Sequence, residues 1–176
     1  MKVRLQARPI SRRIACLGVL VACTAAAGCS GGQTVTAENL DAARQLWAKA
    51  GIRDYDLEYT TAPANGHFLV TVRNNEVKKV EGIATGGERN LLRPAAPRYY
   101  SIDGIFTTIA DELAQLKTPN PFDQPAGTTI VMKFKTNPEL GYPEWWRRDI
   151  MGRASRSARI DIVKLTPASG ALKPEK

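Results

Sequence analysis

Residues 54–80 read DYDLEYTTAPANGHFLVTVRNNEVKKV, and the period of two inside them decides the fold. Asp54, Asp56, Glu58 and Thr60 alternate with Tyr55, Leu57 and Tyr59, so an extended segment here has one polar and one apolar side. Asn65-Gly66 is a dipeptide that accepts the positive φ of a tight hairpin turn. His67–Arg73 returns as a second strand with Phe68, Val70 and Val72 on one side. Asn74-Asn75 makes another tight turn, and Glu76–Val80 is a third strand.

Upstream, the period lengthens. Leu40, Ala43, Leu46, Trp47 and Ala50 fall on one stripe of a helix over about 37–50. Thr36 is placed to cap it, Glu38 and Asp41 favour the positive end of its dipole, and Gly51 stops it. Downstream, 82–98 (GIATGGERNLLRPAAPR) is rich in glycine and proline and is expected to be a loop. A second helix is expected over 101–113, capped by Ser101 or Asp103, with Ile105, Phe106, Ile109 and Leu113 inward; Pro119-Asn120-Pro121 ends it. Strands follow over 129–135, 144–151 and 158–165, with a wide turn at 137–143 and a basic connection at 152–157. The expected class is α+β: an antiparallel sheet with two helices packed on one face, in the order αβββ-αβββ, forming a single domain over 37–166.

The first residues have another character. Lys2, Arg4, Arg8, Arg12 and Arg13 precede an uncharged run from Ile14 to Ala27, and no acid occurs before residue 38. A basic start, a short apolar run and small residues ahead of a cleavage point describe a secretory signal, and the run is shorter than the ~20 residues that span a bilayer. All three cysteines, Cys16, Cys23 and Cys29, lie in this part of the chain. Ala26-Ala27-Gly28-Cys29 has the pattern of a lipobox, in which the thiol accepts a diacylglyceryl group before cleavage. Leu20-Val21-Ala22-Cys23 is the alternative, disfavoured by the short apolar run before it. The expected organisation is a lipoprotein signal peptide at 1–28, a tether at 29–36, the domain at 37–166 and a flexible tail at 167–176. Loss of the leader removes five basic residues, so 20 Lys and Arg face 17 Asp and Glu, a net charge of +3 in place of +8. That weakens a nucleic-acid reading of the basic composition. It also leaves the folded part without free thiols for a disulfide or a Cys-ligated metal.

The ordered set Trp47, Gly51-Ile52-Arg53-Asp54-Tyr55-Asp56-Leu57, Val72-Arg73-Asn74-Asn75-Glu76-Val77, Ser101-Ile102-Asp103-Gly104-Ile105-Phe106 and Gly141-Tyr142-Pro143 resembles the bacterial envelope proteins grouped as domain of unknown function 6174. The likeness covers about residues 44–165. It implies an exported, often lipidated domain with no established activity. Many members of that family carry a Cys-x-Cys pair shortly after the first strand; this chain has Thr60-Thr61-Ala62-Pro63 there, so a redox role is not implied.

Residues able to carry chemistry are few. His67 is the only histidine, one residue beyond a hairpin turn, and neither a nucleophile elbow nor HExxH occurs. Asp54, Asp56 and Glu58 share a strand face, where they could bind Ca²⁺ or hold a raised pKa. The simpler expectation is the solvated back of a core strand, with Arg73 or Lys78 as partners. The stretch GYPEWWRRDIMGRASRSAR (141–159) is the most suggestive. Trp145 and Trp146 must point to opposite faces of a strand, one into the core and the other outward or under the 82–98 loop. Tyr142, Trp145, Trp146, Arg147 and Arg148 therefore form the candidate binding surface, suited to anionic lipid, an anionic glycan or an envelope protein. The functional expectation is a membrane-anchored, extracytoplasmic lipoprotein of the cell envelope, acting as a non-catalytic binding module without cofactor, metal or nucleic acid. The alternative is a small carboxylate- or metal-dependent enzyme built on Asp54, Asp56 and Glu58.

Overall fold

The structure is a computed structural model that describes residues 31–153 and 156–168. The helix α1 (Ala37–Ala50) starts where Thr36 turns the chain out of extended backbone. The Thr36 hydroxyl accepts from the Asn39 N–H at 3.2 Å, and the Asn39 side chain accepts from the Thr36 N–H at 2.8 Å. This reciprocal cap satisfies two donors that the first turn would leave free. Gly51, at φ 65°, ends the helix in the left-handed region that glycine enters without strain. α2 (Ile102–Gln115) is capped by the Ser101 hydroxyl, which accepts from the Gly104 N–H at 3.0 Å.

Between and after the helices run the strands β2 (Tyr55–Ala62), β3 (Gly66–Arg73), β4 (Glu76–Ile83), β6 (Ile130–Thr136), β7 (Pro143–Ile150) and β8 (Ala158–Pro167). Together with α1 and α2 they reproduce the expected αβββ-αβββ skeleton. Two short strands extend it, β1 (Gln33–Thr34) ahead of α1 and β5 (Arg89–Leu92) after β4. All eight strands form one antiparallel sheet in the order β1-β6-β7-β8-β2-β3-β4-β5. The additions occupy its two edges. β1 falls in the expected tether: Val35 is buried and its N–H donates to Met132, so the chain joins the sheet by residue 33. β5 falls in the expected 82–98 loop, where Arg89–Leu92 pair with Ile83–Val80.

β8 joins the two halves by pairing with β7 on one side and β2 on the other. Both helices cover the same face. Leu40, Ala43 and Trp47 of α1 and Ile102, Ile105, Phe106 and Ile109 of α2 share one core with Tyr55, Leu57, Tyr59, Val70, Val72, Met132, Phe134 and Trp146 of the sheet. Gly141 (φ 79°) brings the turn before β7 onto α1, where a Cβ would stand 2.5 Å from the Ala43 carbonyl and 2.8 Å from Leu46. Gly104 admits the 97–100 turn against α2 in the same way, since its Cβ would collide with the Arg98 carbonyl and the Tyr99 backbone. The other face of the sheet carries neither helix. No helix among the described residues is long and apolar enough to cross a membrane. The 1–28 segment, both candidate acylation cysteines and the tail from 169 lie outside the described residues.

Candidate functional site

The pleat of β7 sends Trp145 and Trp146 to opposite faces, as the alternation requires, and it separates Arg147 from Arg148 in the same way, so with Tyr142 in the turn before β7 the five residues do not form one surface. Trp146 pairs across to Phe134 and Ile160 and is 2 % exposed, inside the core. Tyr142 packs edge-on against Trp47 of α1, with ring centroids 6.2 Å apart, on the helix side. Arg148 is also on the helix side. Its guanidinium forms an ion pair with Glu112 of α2, donates to the Arg156 carbonyl at 2.9 Å and lies 4.1 Å from the centre of the Phe122 ring. It is a strut between α2, the β7–β8 connection and the 121–124 turn. Trp145 and Arg147 alone remain on the helix-free face. Trp145 is half-buried: the backbone at Gly32 lies against its ring, in place of the 82–98 loop, and Arg147 stacks over it at 4.9 Å.

The helix-free face is a lattice of opposite charges. Lys135 meets Glu144 at 2.7 Å, and Asp161 lies between Arg147 (3.8 Å) and Arg159. Asp56 meets Arg73 at 3.0 Å, Glu58 meets the His67 Nε2 at 2.8 Å, and Lys79 meets Glu81 at 2.8 Å. Asp56 and Glu58 thus lie on the solvated back of the strand, as the simpler expectation had it, and the carboxylates of the enzymatic alternative each have a different partner. Asp54 lies just before β2 and accepts from the Asn74 N–H at 2.6 Å, which fixes the β3–β4 turn. Arg73 is the partner that sequence reading expected for this face. Lys78 instead meets Glu76 at 2.5 Å, and this ion pair holds the Glu76 carboxyl below its ordinary range. Among the described residues no three His, Cys, Asp or Glu side chains gather closely enough to hold a metal ion.

A recess of about 900 Å³ opens on the helix side between the β3–β4 turn, the 95–99 segment and the start of α2. Glu76, Arg98, Tyr99 and Asp103 border it. Burial raises the Asp103 carboxyl above the ordinary aspartate value, while the Trp47 indole and the Arg44 guanidinium pull it back. Beside it the buried Tyr55 hydroxyl accepts from the Ile102 N–H at 3.0 Å, and desolvation raises the phenol well above the ordinary tyrosine value. A smaller groove of about 390 Å³ crosses the open face between Asp56, Glu58, Thr71, Glu81, Arg89 and Lys164. Asp103 and Glu112 are not legible as site residues in the sequence, because each looks like an ordinary polar residue of a helix. The partners that give them meaning come from α1 and β7.

Most of the motifs that carried the family likeness now have physical roles. Trp47 packs on Tyr55 at 5.5 Å, Gly51 and Asn74-Asn75 (φ 53° and 63°) make left-handed turns, and Ser101 and Gly104 seat the start of α2. Residues 39–119 match the model of a family of unknown function, DUF6174. The match runs from α1 to the end of α2 and stops short of Gly141-Tyr142-Pro143, which the resemblance had included. No curated protein and no solved structure matches the chain.

Proposed function

We propose that the chain is an exported lipoprotein, anchored through an acylated Cys29 on the extracytoplasmic side of a membrane of the cell envelope, and that its domain is a non-catalytic interaction module. The basic start, the uncharged run from Ile14 to Ala27 and Ala26-Ala27-Gly28-Cys29 carry the reading. The sheet takes up the chain at Gln33, four residues beyond Cys29. Four residues reach at most about 14 Å, so an anchor at Cys29 would hold the β1 edge against the bilayer. Dispersal of Asp54, Asp56 and Glu58 among separate partners supports a surface rather than a catalytic constellation. Acyl labelling tests the anchor: the wild-type chain from cells grown with labelled palmitate should carry the label, and Cys29→Ser should carry none. An unlabelled wild type, or label retained by Cys29→Ser, would refute it.

A second reading, a small carboxylate-dependent enzyme, has one point in its favour. Asp103, a carboxyl raised by burial, borders the 900 Å³ recess. The Trp47 indole and the Arg44 guanidinium pull that carboxyl back toward its ordinary value, which favours a structural use.

A further inference from the structure

β5 is an open edge: Val80–Ile83 pair with it on one side, and among the described residues no strand lies on the other. Leu91, at its centre, is 60 % exposed, the most exposed large apolar side chain among the described residues. The register Glu81↔Leu91 and Ile83↔Arg89 places Leu91 and Arg89 on the helix-free face, and Arg93 follows at the end of the strand. Arg89 and Arg93 are exposed, and neither has an ion-pair partner among the described residues, whereas Lys78 and Lys79 nearby are matched by Glu76 and Glu81. A shallow hollow of about 280 Å³ lies beside Leu91, between Lys79, Val80, Leu92, Arg93 and Pro94.

Basic residues and a proline at an edge discourage pairing with a second copy. Antiparallel self-pairing about a two-fold axis at Leu91 would place each Arg89 opposite an Arg93, a like-charge pair that destabilises the ladder. Edge protection does not account for an exposed leucine between the two arginines. An acidic strand would satisfy all three side chains: its backbone completes the β5 ladder, an apolar residue covers Leu91, and carboxylates on either side meet Arg89 and Arg93.

We infer that the β5 edge, with Leu91, Arg89 and Arg93, receives an extended acidic segment of a partner protein as an added antiparallel strand. This rests on the reading of the domain as an interaction module and names the surface it uses. The position suits that role. β1 and β5 are opposite edges of an eight-stranded sheet, separated by seven strand spacings, roughly 34 Å. With β1 held at a membrane, β5 points away from it.

The test uses the full-length chain and a fluorescein-labelled ten-residue peptide that alternates glutamate with valine and threonine, beside the same peptide with lysine for glutamate. Anisotropy titration should show the acidic peptide binding at least tenfold more tightly. The double variant Arg89→Glu, Arg93→Glu should reverse the preference, and an unchanged thermal midpoint would show that it remains folded. Backbone amides of 89–92 should exchange more slowly with the acidic peptide present. Equal binding of both peptides, or a preference unmoved by the double variant, overturns the inference. So does protection at residues 33–34 instead of 89–92, or a dimer in sedimentation that Leu91→Lys abolishes. Acyl labelling of wild type and Cys29→Ser reads the anchor independently, so either claim can fail alone.

Discussion

At the residue scale, Tyr55 shows how a position that reads as core does a second task. Its ring fills the interior next to Trp47, while its hydroxyl accepts from the Ile102 N–H, a first-turn donor of α2. Tyr55→Phe keeps the ring and strands that donor, so it should cost about 1–3 kcal/mol in chemical denaturation, with the helix content retained. Asp103 makes a pH-dependent prediction. Its folded carboxyl is raised by burial, so the folded state holds its proton more firmly than the unfolded chain, and this group's contribution falls as pH rises from the ordinary aspartate value through the raised one. Asp103→Asn removes that dependence. Its stability relative to wild type should be most favourable at neutral pH and decline on acidification through that window, as read by denaturation midpoints. The sequence displayed both residues but not these uses, because alternation reveals which side of a strand faces inward and says nothing about partners on another element.

At the scale of elements, the alternation of 55–59 and 68–72 and the stripe from Leu40 to Trp47 sufficed to place β2, β3 and α1, because a half-buried element must repeat its own period. β1 and β5 were not legible. Two and four residues are too few to establish a period, and strands paired along only one side lack a strong apolar signature. The candidate site was read less well, for a related reason. GYPEWWRRD promised aromatic and basic groups together, but the pleat sends Trp146 and Arg148 to one face and Trp145 and Arg147 to the other. Arg148 consequently belongs to packing. Arg148→Met leaves the Glu112 carboxylate without its partner and removes the guanidinium from Phe122. It should destabilise the domain by about 2–4 kcal/mol in denaturant titration, whereas Arg147→Met, on the open face, should change stability by less than about 0.5 kcal/mol.

At the scale of the whole molecule, the arrangement is directional. One face of the sheet is sealed by two helices over a continuous core, and the other is covered by matched charges. The chain enters at β1, and the exposed leucine stands at the opposite edge on β5. In the proposed setting the first edge meets the bilayer and the second meets a partner, so the account depends most on where the chain is fastened. Mass spectrometry of the N-terminal peptide from protein purified out of native membranes tests this most directly. The account predicts a chain beginning at Cys29 with the mass of a diacylglyceryl group on the thiol. An unmodified chain beginning at Ser30 or later would contradict the anchor, and acylation at Cys23 would lengthen the tether by six residues and remove the constraint that holds β1 at the membrane.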